Sequence, residues 1–387
     1  MSNQESRRVT VRLEISPQGQ VSLLSGNGSV SESITFEESR ARAPRRQKID
    51  VPFDATYGDR KGFQPDLLGN GAKRVNLPKL TPAIRKLAAE LIDSPEQFEL
   101  KYHNYSVVMN RVRRLAIFSA ANVRGDQRYN LSRSAYSNES DWRPDRRISE
   151  NHQLVNFYYK GNRFDRGHLT RNEDLEFGAT PMAAMQSSID TLHYTNIVPQ
   201  HESFNASKLR RGEDDGDLDL GLWGQLEKHI LEQAILSNQF SAQVFTGPIL
   251  DEDDPDHPDF EDLPYPIRFW KVIAALDSAG KLFATAFLLD QTDIVDHFGI
   301  TEAAPIEAFK TYQVPITEIE RLTGLLFTSG PANNPQPLSA VDPLAGGAPP
   351  RRRRRRRDFD EATSSSEADI PDGYLPLDNF TDIRTRA

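Results

Sequence analysis

Five apolar runs of strand length constrain this chain more than any other feature. "SVVMN", "RLAIFSAANV", "AQVFTGPIL", "IRFWKVIAAL" and "LFATAFLL" fall between Tyr102 and Phe327, alternating with only one or two helix-like segments. Strands that follow one another with few intervening helices favour antiparallel pairing, so the pattern predicts an α+β fold around a mainly antiparallel central sheet. Two segments read as helices. In "LTPAIRKLAAELID", Thr81 is placed to cap and Pro82 stands at the first helical position. Ile84, Leu87, Ala88, Leu91 and Ile92 recur there with helical spacing. "LWGQLEKHILEQAIL" stacks Leu222, Leu226 and Ile230 on one face.

The ends read differently from the middle. Residues 1–50 offer two alternating apolar runs around Pro17–Gly19, a hairpin pattern, and then a polar, charged linker expected to be partly disordered. Residues 51–99 read as an N-terminal arm and helix packed on the domain at 100–328. Residues 329–387 form a Pro/Gly linker, a run of seven arginines (Arg351–Arg357) and an acidic, Ser-rich tail, also expected to be poorly ordered.

Charge and composition then limit the chemistry. The chain has no cysteine, which excludes disulfides, thiolate metal sites and a cysteine nucleophile. A metal must therefore use oxygen or imidazole ligands. The net charge is −9, and the arginine run supplies +7, so the rest carries −16. That balance argues against a long DNA-tracking surface but leaves room for a small site with local basic walls. Arg124, Arg143, Arg146, Arg147, Lys160, Arg163, Arg166 and Arg171 provide such walls. No run reaches the roughly 18–20 apolar residues of a membrane helix. "MSNQESRRV" lacks the apolar core of a signal peptide, so the expectation is a soluble, cytoplasmic protein.

The chemistry concentrates in "NRFDRGHLTRNED", residues 162–174, where one histidine lies among arginines and acids. A lone histidine is more often a packing or surface residue. Here Gly167 beside it carries no side chain, which leaves room for a backbone or phosphate to approach. The arginines around it suit forked phosphate contacts. Downstream, "YTNIVPQHESFN" supplies the amides Asn196, Gln200 and Asn205, hard neutral donors of the kind Mg²⁺ accepts, although turn chemistry alone also explains asparagines. Trp223 and Glu227 stand i, i+4 on the second predicted helix, where a glutamate is ordinarily a solvated charge.

"DRGH", "TNIVPQ", "FN" and "W…LE" in this order, with "VFTGPIL", "IRFWKVI" and "IEAFKTYQVPITEIERLTGLLF" further on, resemble the DNA/RNA non-specific endonuclease family of endonuclease G-like, ββα-metal proteins over residues 100–328. The resemblance implies an Mg²⁺-dependent endonuclease, with Mn²⁺ as a substitute, acting on DNA and RNA. It implies His168 as general base, Asn205 as the single direct metal ligand and Glu227 as a carboxylate holding metal-bound waters. Asp165 and Arg166 complete the motif and Asn196 supports the metal, while Gln200 is read as structural. Where the family carries an arginine two residues before a tryptophan, this chain has Ser140 before Trp142, with Arg143 or Arg133 as substitutes. Asn205 and Trp223 lie 18 positions apart. An unbroken helix would separate them by about 27 Å, so the intervening residues are expected to loop out.

The remaining features are secondary. The acidic runs Glu213–Asp219 and Asp251–Asp256 do not match a twelve-residue calcium loop and read as solvated loops. The segment 55–80 is similar to segments preceding nuclease domains in bacterial proteins associated with trypsin-like proteases. Together with the arginine run it suggests tails that restrain the enzyme until such a protease cuts them. A homodimer is compatible with the sequence. The alternative readings are a catalytically weak nucleic-acid-binding module on the same fold and a phosphodiesterase acting on small nucleotides.

Overall fold

The computed structural model describes residues 13–15, 21–23, 48–137, 141–205, 208–209, 218–219, 222–227, 235, 240–292, 310–346, 374–377 and 383–384. The chain divides into two units, Met1–Arg46 and Gln47–Ala387. In the first, Leu13–Ile15 pairs antiparallel with Val21–Leu23. The Arg351–Arg357 run and most of the acidic tail lie outside the described residues.

The second unit is built on an eight-stranded antiparallel sheet. The chain enters it with β1 (Leu100–Lys101), β2 (Tyr105–Asn110) and β3 (Leu115–Arg124). It then leaves the sheet for a separate pair, β4 (Phe164–His168) and β5 (Ile197–His201), with helix α1 (Pro181–Asp190) between them. Two short helices follow, α2 (Glu202–Asn205) and α3 (Leu222–Leu226). The chain returns through β6 (Ser241–Ile249), β7 (Arg268–Leu276), β8 (Leu282–Asp290) and β9 (Lys310–Val314). After α4 (Ile316–Thr323) it ends at β10 (Leu375–Pro376). The order across the sheet is β10-β9-β8-β7-β6-β3-β2-β1. The five apolar runs of the sequence are β2, β3, β6, β7 and β8, and the predicted α+β, mainly antiparallel architecture holds.

These runs are apolar throughout because both faces of the sheet are covered. On β7, Phe269, Ile273 and Ala275 point into one core, while Trp270, Val272 and Ala274 point into the other. The first core also contains Phe164, Ile197 and Val198 of the β4–β5 pair and Phe204 and Trp223 of the short helices. The second is closed by Ile316 and Ile319 of α4 and by Phe63, Leu68 and Val75 of the N-terminal arm. The functional residues therefore rest on one face of a rigid slab.

The first predicted helix is the main departure. Only Pro82–Arg85 is helical, and the Thr81 side chain makes no capping bond. Past Arg85 the backbone serves other partners. Ala89 N donates to Met109 O, Ile92 N donates to Arg147 O, and Leu87 O accepts from Arg111 N. Edge pairing with β2 outcompetes helix propensity, which is a weak preference. The Asp251–Asp256 run also differs from a solvated loop. Asp254 is buried and pairs with Arg113 at 2.5 Å, and Asp251 pairs with Arg268 at 2.5 Å, tying the loop to the sheet.

Candidate active site

The β4–β5 pair sets the register of the site, with Asp165 opposite Gln200, Gly167 opposite Val198 and His168 opposite Ile197. Gly167 is required for a reason the sequence did not suggest. A Cβ there would sit 2.0 Å from Gln200 Oε1, so the space is filled by the Gln200 side chain and not by a phosphate or backbone. Gln200 is fully buried, and neither of its amide atoms has a hydrogen-bond partner.

His168 ends β4. Its ring lies 5.2 Å from that of Trp142, and the Arg166 guanidinium lies 5.5 Å from the same indole while donating to Asn156 Oδ1. His168 Nε2 is sealed from solvent and has no hydrogen-bond partner. Burial, reinforced by the positive charges of Arg133 and Arg171 and opposed by Glu173, pushes its pKa down to about 3. The imidazole is therefore neutral near pH 7, with an empty lone pair to offer.

Asn205 and Asp165 are brought together, with Asn205 Nδ2 donating to Asp165 Oδ2 at 2.9 Å. That bond fixes the orientation of the amide, so its carbonyl oxygen is left as the donor for a cation. Asp165 thus orients the asparagine. Asn196 is buried and fully committed. Its Oδ1 accepts from Thr170 N at 3.0 Å, and its Nδ2 donates to Thr170 O at 2.9 Å and Thr191 O at 3.2 Å. These bonds brace the segment that follows His168.

The gap between Asn205 and Trp223 does loop out. Helices α2 and α3 pack on each other, with the rings of Phe204 and Trp223 6.0 Å apart and both against Phe269 of β7. Residues 208–209 and 218–219 pair antiparallel at the neck of the insertion. Glu227 is buried beside α3 and accepts from Lys271 Nζ at 3.1 Å. Lys271 was missed by sequence reasoning. Its signal was a lysine in the middle of an apolar strand, at the parity of Phe269 and Ile273, where a buried charge needs a partner. The ammonium also lies 4.0 Å over the Trp223 ring.

The charges of the two halves meet at Arg171. It donates to Glu173 Oε2 at 3.0 Å and feels Asp174 and Glu227 as well. Asp174 is buried, its Oδ1 lacks a partner, and burial raises its pKa to about 7. Among the described residues no cluster of three or more histidine or acidic side chains forms a metal cage. The donor set instead fits a hydrated hard cation held through one amide oxygen, with Glu227 nearby. Of the arginines considered for phosphate contact, Arg143 is engaged elsewhere. Its guanidinium sits 4.0 Å over Phe53 of the N-terminal arm, and its Nε donates to Asp141 O.

Comparison with known proteins agrees with this arrangement. A family model described as DNA/RNA non-specific endonuclease matches residues 89–334. An uncharacterized protein, y4fB, of Sinorhizobium fredii (strain NBRC 101917 / NGR234) is 31% identical over 308 residues, covering 76% of this chain and 42% of its own length. Human mitochondrial endonuclease G is 25% identical over 198 residues, covering 49% of this chain and 56% of its own. The solved EndoG/EndoGI complex aligns with a TM-score of 0.43 at 20% identity, over 60% of this chain and 85% of that one. The chain spans about half the length of the curated relatives it matches. A ββα unit ending in Asn205, carrying DRGH on its first strand, and a family match across nearly the whole sheet lead to one conclusion: this chain belongs to the DNA/RNA non-specific endonuclease family.

Proposed function

We propose that the chain is a divalent-metal-dependent endonuclease that hydrolyses phosphodiester bonds in DNA and RNA without reading sequence. One observation carries this reading. His168 holds a neutral, partnerless Nε2 at the end of a rigid strand, among arginines suited to phosphate. His168 takes a proton from the attacking water, a task for which a neutral imidazole is required. Asn205 is the direct ligand of a hydrated Mg²⁺, oriented by Asp165, and Glu227 holds the ion's waters with its charge steadied by Lys271. The bound ion supplies positive charge to the phosphorane and the leaving oxygen. Arg166 and Asn196 act as positioning residues, the first through Asn156 and Trp142, the second through the Thr170 backbone. Contacts limited to phosphate and sugar explain the absence of sequence preference.

The N-terminal arm bears on the idea of tails that restrain the enzyme. From Lys48 to Arg60 it is bonded into the nuclease and supports it, so release by a trypsin-like protease is confined in this proposal to the Arg351–Arg357 run. The test is plasmid cleavage by wild type, His168→Ala and Asn205→Ala, with Mg²⁺ and with EDTA. Wild type should degrade plasmid only with the metal. His168→Ala should lose about 10²–10⁴-fold in rate, the usual worth of a general base. Wild type that binds DNA but leaves it intact, even after trimming at the arginine run, would establish the binding-module alternative.

A further inference from the structure

The arginines around His168 can be sorted by what already holds them. Arg163 pairs with Glu202, Arg171 with Glu173, Arg147 with Asp145 and Arg124 with Asp126. Arg166 bonds Asn156 and Arg143 lies beneath Phe53. Arg133 differs from all of them. Its guanidinium has no hydrogen-bond or acidic partner among the described residues, it is half-buried, and its charge reaches His168.

The backbone that carries Arg133 is nevertheless held firmly. Arg133 opens a short helical turn, Arg133–Ala135, whose end is fixed by Tyr136 N and Ser137 N donating to Arg133 O. Glu176, eight residues beyond His168, grips the turn from both sides. It accepts from Leu131 N at 3.4 Å and from Tyr136 OH at 3.2 Å. The arm holds the opposite edge, with Ile49 N donating to Ala135 O at 2.9 Å and Lys48 Nζ to Ser137 O at 2.6 Å. A rigid turn presenting an uncommitted guanidinium beside a buried base is a preorganised anion contact: its geometry is settled before the anion arrives.

Resting on the nuclease reading above, we infer that Arg133 binds a non-bridging oxygen of the scissile phosphate next to His168, in the place where the family's own arginine is replaced by Ser140. Arg133 is a catalytic residue in this assignment, and Glu176, Lys48 and Ile49 position it.

The experiment uses the full chain and supercoiled plasmid with Mg²⁺, comparing wild type, His168→Ala, Arg133→Gln, Arg133→Ala and Arg143→Gln. Arg133→Gln should keep the wild-type melting temperature and lose about 100-fold or more in kcat, the effect of deleting one contact to developing negative charge. Free guanidinium ion should restore much of the rate of Arg133→Ala. The acid limb of the Arg133→Gln pH–rate profile should move to higher pH, because His168 loses a positive neighbour while Arg171 and Glu173 stay. Arg143→Gln should lose less. If Arg133→Gln cuts at the wild-type rate while His168→Ala is inert, the assignment is overturned and the nuclease reading stands. Loss of rate without guanidinium rescue or a pH shift also overturns it, by making Arg133 structural. An inert wild type removes both.

Discussion

The docking of the N-terminal arm and the loop around His168 are both buried and rich in charge, yet they are built in opposite ways. At the arm, buried charges are matched. Arg60 meets the Asp190 carboxylate at 3.1 and 3.2 Å, and His103 Nδ1 lies 2.7 Å from the same group. His193 Nδ1 can only donate to the Asp190 carbonyl, so its Nε2 accepts from Tyr57 OH at 2.7 Å. Burial would raise the Asp190 pKa, but His103, His193 and Arg60 hold it at about 2. Around His168, polar atoms are buried without partners: His168 Nε2, both Gln200 amide atoms and Asp174 Oδ1. There burial prevails, and both Asp174 and Glu176 rise to about 7. Unsatisfied buried groups cost stability and are tolerated where a ligand completes them. One region is finished by the chain itself; the other is left to be finished by substrate and ion.

The sharpest way to break this comparison is Asp190→Ala. It strands the Arg60 guanidinium in a buried site, so it should cost about 3–5 kcal/mol in urea unfolding. A cost near zero would mean the arm is not part of the folded nuclease. The next effect is Gly167→Ala, whose Cβ must displace Gln200, with an expected cost of about 1–3 kcal/mol and a lower cleavage rate. Adding Gln200→Ala should recover part of the stability, and no recovery would show that the strain lies elsewhere.

The smallest effect is in pH. A raised folded-state pKa means that the folded protein binds more protons than the unfolded chain between the ordinary carboxyl value and about 7. Asp174 therefore contributes stability that is fully present below its ordinary pKa and is lost as pH rises towards 7, at about 1 kcal/mol between pH 5 and 6. Asp190 has the opposite sign, and its contribution disappears only as pH falls from its ordinary value towards about 2. Asp174→Asn should flatten the decline between pH 5 and 7 and leave the acid-side loss unchanged. A variant that tracks wild type at every pH would refute the contrast.

The parts of the molecule legible in the sequence were those whose cause is local. Apolar runs became strands, and the order of DRGH, the amides and Trp223 located the ββα unit. What stayed hidden depends on partners distant in sequence. The periodicity of residues 82–93 was real, but its backbone donors were captured by Met109 and Arg147. Gly167 reads as space for a phosphate until Gln200, across the strand pair, is seen to occupy it. Lys271 and Glu227 are 44 positions apart, and only the parity of β7 hinted that they meet. Arg133 and Arg143 could not be ranked from sequence, because the difference lies in Phe53 covering one and nothing covering the other.

The neck at residues 208–209 and 218–219 separates what lies beyond it from the geometry of the site. Because Phe204 and Trp223 already seat the two helical pieces against β7, the residues between the neck strands carry no spacing requirement of their own. The entropy of closing a loop grows only with the logarithm of its length. The insertion is therefore a socket in the scaffold, where segments of different size or charge can be exchanged, by evolution or at the bench, while Asn205 and Glu227 keep their places.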